Sequence, residues 1–185
     1  TGQNPPDGAI IDYYLKATTA DPVTLTIKQQ DGRVLRRYSS ADPVPPIPDP
    51  PSAPWPIYWY RPAHPLSTEA GMHRFLWDVH LQPLGAGAAA GGGLGAVPTQ
   101  LPIQAIPYNS PTASTTPWAA PGTYTIELTV EGKTYSQPIV VRQDPRVKTP
   151  ALEMQKVYAL TNALYFGAAD AQAATIAHPS GANAF

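Results

Sequence analysis

The chain has 185 residues, enough for one core of ordinary domain size plus appendages, and at 43% hydrophobic residues it is not a wholly disordered polymer. With 12 basic against 13 acidic side chains, and no basic run longer than Arg36-Arg37, it lacks the electrostatic footprint of a nucleic-acid binder. It contains no cysteine and no run of about 18 apolar residues, which excludes disulfides, thiolate metal ligands and a membrane-spanning helix.

The charged fraction is 14%, well under the roughly 25% of an average soluble protein, so the surface is polar-neutral and rich in proline. The chain opens Thr1-Gly2-Gln3-Asn4, without Met or a charged and apolar leader, and reads as a mature or cleaved product or as a fragment of something longer. The turn cluster Pro5-Pro6-Asp7-Gly8 follows, where a domain boundary is expected. "AIIDYYLK", Ala9 to Lys16, is then rich in β-branched and aromatic residues and predicts a strand, with Ile10 and Tyr14 expected in the core. In "VTLTIKQQDGRVLRRYS", Val23, Leu25 and Ile27 alternate with Thr24, Thr26 and Lys28, the chain turns at Asp31-Gly32, and Val34 and Leu35 resume the pattern. An Asp-Gly pair between two such runs predicts a hairpin.

Residues 42–66 are proline-dominated, and each proline removes a ladder donor, so this stretch is expected to be extended or polyproline II rather than sheet interior. "AGMHRFLWDVHL" restores alternation and predicts a strand with Phe75, Trp77 and Val79 facing inward. The stretch 83–121 is a long Gly/Ala/Pro-rich connection of a length that is uncommon unless functional or disordered. "GTYTIELTVEGKTYSQPIVV" predicts a closing antiparallel hairpin over Gly122 to Val141, turning at Glu131-Gly132, with Tyr124, Ile126, Leu128 and Val140 in the core. Beyond Asp144-Pro145 the pattern becomes helical. Thr149 suits an N-cap and Pro150 the first helical position, with Leu152, Val157, Leu160 and Leu164 as the apolar stripe and Gly167 as a stop or bend. These elements predict an all-β immunoglobulin or fibronectin III-like β-sandwich of about seven strands over residues 1–148, followed by a C-terminal helix and alanine-rich tail over 149–185.

The segments "NPPDGAIIDYYL", "WYRPAHPLSTEAGMHRFLWDVH" and "PGTYTIELTVEGKTYSQPIVVRQDPRVKTP" resemble, in that order, the C-terminal region of large bacterial exported proteins that carry sortilin-like, BNR-type β-propellers. The resemblance spans roughly Asn4 to Leu164. It implies an exported accessory sandwich attached to a glycosidase-like propeller, any catalytic residues lying in the propeller. The Gly/Ala-rich Gly85 to Gly95 and the tail after Gly167 depart from that family's pattern.

No residue pattern marks catalysis. His64, His73, His80 and His178 lie on separate segments, and only His73 and His80 share a strand region, on opposite faces, so metal ligation is not expected. Asp78, Glu127 and Glu131 are not placed in one cleft by any sequence feature, as a glycosidase pair requires. No Gly-x-Ser-x-Gly elbow and no strand-to-helix glycine fingerprint occurs. The sequence therefore calls for no catalytic residue, no metal and no cofactor. In "PWPIYWYRP", Trp55, Tyr58, Trp59 and Tyr60 offer flat faces that either stack on sugar rings or cover an open sheet edge. Leu94, Val97 and Leu101 in the long connection, with Ile176 and Phe185 in the tail, are expected to contact neighbouring domains or chains; the alternative pins the connection to its own sandwich. The expected role is a non-catalytic accessory domain of a larger exported assembly, and the alternative a carbohydrate-binding accessory module.

Overall fold

The computed structural model describes residues 8–44, 49–51, 65–84 and 116–177. They form six strands and one helix: β1 (Ala9–Leu15), β2 (Thr24–Lys28), β3 (Val34–Ser39), β4 (Gly71–Trp77), β5 (Gly122–Val130), β6 (Lys133–Val141) and α1 (Ala151–Ala177). Strands β1 and β4 pair antiparallel as one sheet, and the other four pair antiparallel in the order β3-β2-β5-β6. The fold is β-sandwich-like, with the C-terminal helix outside the two sheets.

Both predicted hairpins form where the turn chemistry places them. Val130 pairs with Lys133 across Glu131 and Gly132, which have φ of 49° and 73°. Positive φ at both central residues gives the two-residue turn whose twist matches that of the strands. At the β2–β3 turn, Gly32 (φ 86°) donates to the Gln29 carbonyl and Asp31 Oδ1 accepts from the Arg33 amide at 2.9 Å. The ladder then slips by one residue between Ile27 and Lys28. That bulge leaves Leu35 out of the pairing and turns it into the core, while Val34 is exposed.

One apolar cluster joins the two sheets: Ile11, Tyr13, Leu15, Phe75 and Trp77 from β1 and β4 against Leu25, Ile27, Leu35, Tyr124 and Ile126 from the other sheet. Trp77 is fully buried, donates its indole N–H to the His80 carbonyl at 3.1 Å, and meets Tyr124 edge-on at 5.7 Å. Leu25, Ile27, Phe75, Trp77, Tyr124 and Ile126 are core residues as expected, and Leu128 packs partly buried against them.

Three expected core residues are not. Ile10, Tyr14 and Val140 are 45%, 65% and 56% exposed. In β1 the inward parity is Ile11, Tyr13 and Leu15. The even positions carry Asp12 between Ile10 and Tyr14, and a carboxylate at that parity turns the whole set to the outside. In β6, Val140 pairs with the outward Thr123, whereas Ile139 pairs with the inward Tyr124.

The helix also presents a different face from the one expected. Leu152, Val157, Leu160 and Leu164 are all more than 60% exposed, and Met154, Tyr158, Asn162, Tyr165 and Phe166 turn toward the sandwich. Tyr165 donates its hydroxyl to the Gln82 carbonyl, and the Arg33 guanidinium lies 4.2 Å over the Phe166 ring. The aromatic residues dock because they bring both apolar area and a polar tip to a sandwich end that presents backbone carbonyls. The helix starts at Ala151, one residue later than expected, with the Pro150 carbonyl accepting the first helical hydrogen bond from Met154, and it continues through Gly167.

Tyr124, near the start of β5, donates its hydroxyl to the carbonyl of Ala120 at 2.6 Å, closing the corner that leads into the strand. Burial, and then the neighbouring Tyr158 hydroxyl, push the Tyr124 pKa upward, which keeps it a neutral donor. Tyr124→Phe leaves the Ala120 carbonyl without this partner and is expected to cost about 1–3 kcal/mol, read as a lowered urea midpoint with unchanged m-value.

Candidate functional site

Trp55, Tyr58, Trp59, Tyr60, Leu94, Val97, Leu101 and Phe185 lie outside the described residues, as do His64 and His178. Ile176 falls in the last turn of α1, with its side chain outside the described residues. What the structure brings together is a different set, centred on β1.

The β1–β4 sheet is apolar on both faces. Its inner face is the core described above. On its outer face the register sets Ile10 against Leu76 and Tyr14 against Met72, with Asp12 opposite Arg74 between them. All four apolar side chains are exposed, Met72 at 72%. The Arg74 guanidinium grips Asp12 with two hydrogen bonds, Nε to Oδ1 at 2.8 Å and Nη2 to Oδ2 at 2.9 Å.

Those hydrogen bonds hold the Asp12 carboxyl below its ordinary value of 3.8, with the Arg74 charge adding to the effect. A folded-state pKa below the unfolded one contributes stability above pH 3.8 that is lost as the pH falls through the folded value. Carboxyl-detected NMR titration is expected to give Asp12 a midpoint below 3.8, returning toward it in Arg74→Ala. An identical midpoint in both proteins contradicts the pairing.

Beside β1, a groove of about 590 Å³ opens between the two sheets. The consecutive residues Ile11 to Ala17 form one wall, the floor is Ile126, Leu128 and Val130 of β5, and Tyr135 and Gln137 of β6 form the far side. Lys16, Glu131 and Lys133 stand at one end. Among the described residues two strands face four, and the groove lies where the larger sheet extends past the smaller. The inward-facing positions of β6 near its turn, Lys133, Tyr135 and Gln137, are exposed, and among the described residues no strand of the opposing sheet lies over them.

A second cluster follows β4. Val79 has φ of 59°, an outlier for a β-branched residue. Asp78 Oδ1 accepts from the His80 amide at 3.1 Å, and the Val79 carbonyl accepts from the Ala119 amide at 2.7 Å. The turn sets the His80 ring against Trp118, centroids 3.7 Å apart, and Trp118 is 58% exposed. Tyr38 reaches Asp78 at 3.4 Å; burial raises its pKa, opposed by Arg36 and reinforced by Asp78. Sequence reading assigned no role to Trp118, which sits inside the long connection. Its mark is a lone aromatic just ahead of the Pro-Gly that opens β5.

The carboxylates weighed for catalysis do not share a cleft. Glu127 pairs with Lys28 at 2.6 Å on the outward side of β5, Asp78 belongs to the strained turn, and Glu131 forms the β5–β6 turn. His73 stacks on Tyr13 at 5.1 Å, away from His80. Among the described residues no group of three or more His, Asp or Glu side chains is placed to hold a metal ion, and no helix is long and apolar enough to cross a membrane. Comparison of the chain with protein-family models, with curated proteins and with solved structures yields no match.

Proposed function

We propose that this chain is an immunoglobulin or fibronectin III-like accessory domain of a larger exported bacterial protein, non-catalytic, acting in domain packing or multi-chain assembly. Three features support the immunoglobulin-like assignment. The order β3-β2-β5-β6 reproduces the C′-C-F-G sheet and the β1-β4 pair the B-E pair of that topology, and the Tyr124–Ala120 bond matches the tyrosine corner at the start of strand F. The buried tryptophan departs from it, standing on β4 rather than on the C-strand equivalent β2.

The observation that carries the assembly reading is the outer face of β1–β4, where Ile10, Tyr14, Met72 and Leu76 remain exposed around the Asp12–Arg74 pair. The exposed stripe Leu152, Val157, Leu160 and Leu164 on α1 adds a second apolar face. The order of the sequence segments resembles exported proteins of the sortilin-like, BNR type, in which a C-terminal sandwich is appended to a propeller.

A photo-crosslinking amino acid at Tyr14 or Met72, in the protein as made by its own cell, is expected to give one discrete product with a neighbouring polypeptide segment, and at exposed Arg142 none. Equal, diffuse labelling at all three positions overturns the assembly role. Turnover of chromogenic glycosides by the purified chain, abolished by Asp78→Ala or Glu127→Ala, overturns the non-catalytic one.

The exposed Trp118, braced by His80 next to Asp78, favours a second reading, a carbohydrate-binding module in which the indole face stacks on a sugar ring. Binding on a glycan array that disappears in Trp118→Ala supports this reading over assembly.

A further inference from the structure

We infer that the turn after β4 is a strained clasp: residues 117–119 hold Val79 in left-handed backbone, and when they let go, Val79 relaxes and the His80 carbonyl leaves the Trp77 indole. The device is independent of both functional readings above.

A valine at φ 59° stands where its Cβ crowds the following carbonyl, a conformation that β-branched residues adopt only when their surroundings impose it. The imposing contacts come from two sides. From outside the turn, the Ala119 amide donates to the Val79 carbonyl at 2.7 Å and the Leu81 amide donates to the Pro117 carbonyl at 3.0 Å. Within it, the His80 amide donates to Asp78 Oδ1 at 3.1 Å and His80 Nδ1 to the Asp78 carbonyl at 2.9 Å.

The two ends of the turn are anchored independently of residues 117–119. Before it, the ladder with β1 fixes β4 as far as Trp77. After it, the Gln82 amide donates to the Leu35 carbonyl at 2.7 Å, Arg36 Nη1 donates to the Leu81 carbonyl at 2.8 Å, and Leu81 is fully buried. Residues 117–119 are themselves held by the two backbone bonds, by the buried Ala119 methyl and by the stack of Trp118 on His80. Prolines at 117 and 121 stiffen the segment, so it leaves as one piece and takes both outside bonds with it. Among the described residues only contacts internal to 78–80 then oppose the return of Val79 to extended backbone. That return displaces His80, whose carbonyl accepts the Trp77 indole N–H at 3.1 Å, and so reaches the residue where both sheets meet.

The closed state also defines what biases the clasp. One face of the Trp118 indole lies on the His80 ring, centroids 3.7 Å apart. A contact that claims this face forms only in the released state, and it shifts the balance toward release by its own affinity.

Hydrogen exchange followed by NMR on the full chain tests the clasp through three protons from three segments: the Ala119 amide, the Leu81 amide and the Trp77 indole N–H. They are expected to share one protection factor, about ten-fold or more below that of the Leu25 amide in β2, which is paired on both sides. Trp118→Ala is expected to lower the shared factor a further several-fold and to leave Leu25 unchanged. Val79→Ala and Val79→Gly both lose the isopropyl group, but only glycine sheds the left-handed penalty, so the shared factor is expected to be about three-fold or more higher in the glycine variant. Four results overturn the inference: protection equal to that of Leu25, so that the turn opens only with the whole domain; three unrelated protection factors; no response to Trp118→Ala; or equal factors in Val79→Ala and Val79→Gly.

Discussion

Trp77→Ala is expected to remove about 3–5 kcal/mol of stability, the range for emptying a large aromatic site in a packed core. The indole is fully buried at the meeting point of both sheets and its N–H is bonded to the His80 carbonyl. Alanine therefore leaves a cavity against Tyr124 and at the same time orphans that carbonyl. A domain of this size has about 5–15 kcal/mol in total, so the variant is expected to sit near the limit of folding. Urea denaturation followed by far-UV circular dichroism measures it, and Trp77→Phe, which keeps an aromatic ring but loses the N–H, is expected to fall between the two. A loss below about 1 kcal/mol for Trp77→Ala contradicts the central place of this residue, since surface substitutions usually stay within about 0.5 kcal/mol.

Gly8→Ala is expected to cost about 2–3 kcal/mol, the upper part of the range for a non-glycine residue in glycine-only backbone. Gly8 has φ of 129°, and a Cβ there runs into the carbonyl oxygen of Trp77, which is backbone and has no rotamer by which to give way. The site is the entry to β1, where Ala9 pairs with Trp77, so relief of the clash must pull the two strands of the smaller sheet apart. Gly132→Ala is the control. Its φ of 73° is also positive, but nothing lies near its Cβ, so about 1–2 kcal/mol of backbone strain is expected without a clash. Equal losses in the two variants would show that conformation alone, not the approach to Trp77, makes Gly8 necessary.

These two residues differ in how far they could be read in advance. Trp77 alternates with Phe75 within a polar-apolar run, and alternation alone assigns it to the core. Gly8 reads as one more turn glycine. Its close approach to β4 depends on a partner more than sixty residues away, and no local pattern encodes that. Along β1 the information was present but masked: aromatic and branched residues occupy both parities, and Asp12 alone distinguishes the outward set. In α1, Leu and Val at helical spacing describe an amphipathic face without saying what meets it, and tyrosine, whose hydroxyl seeks a carbonyl, proved the docking residue.

By itself the sequence determined the all-β character, both hairpins with their turns, the core parity of β2, β4 and β5, and the C-terminal helix. All of these are local matters, decided by the two-residue period of a strand, by glycine at positive φ and by helix propensity. Only the tertiary structure decided which strands share a sheet and that, among the described residues, two strands face four with a groove between the sheets beside β1. Those are properties of pairing between segments far apart in the chain, where every strand offers the same backbone donors and acceptors on either edge. Which edge is used depends on how the whole set of side chains packs, not on any one stretch of residues.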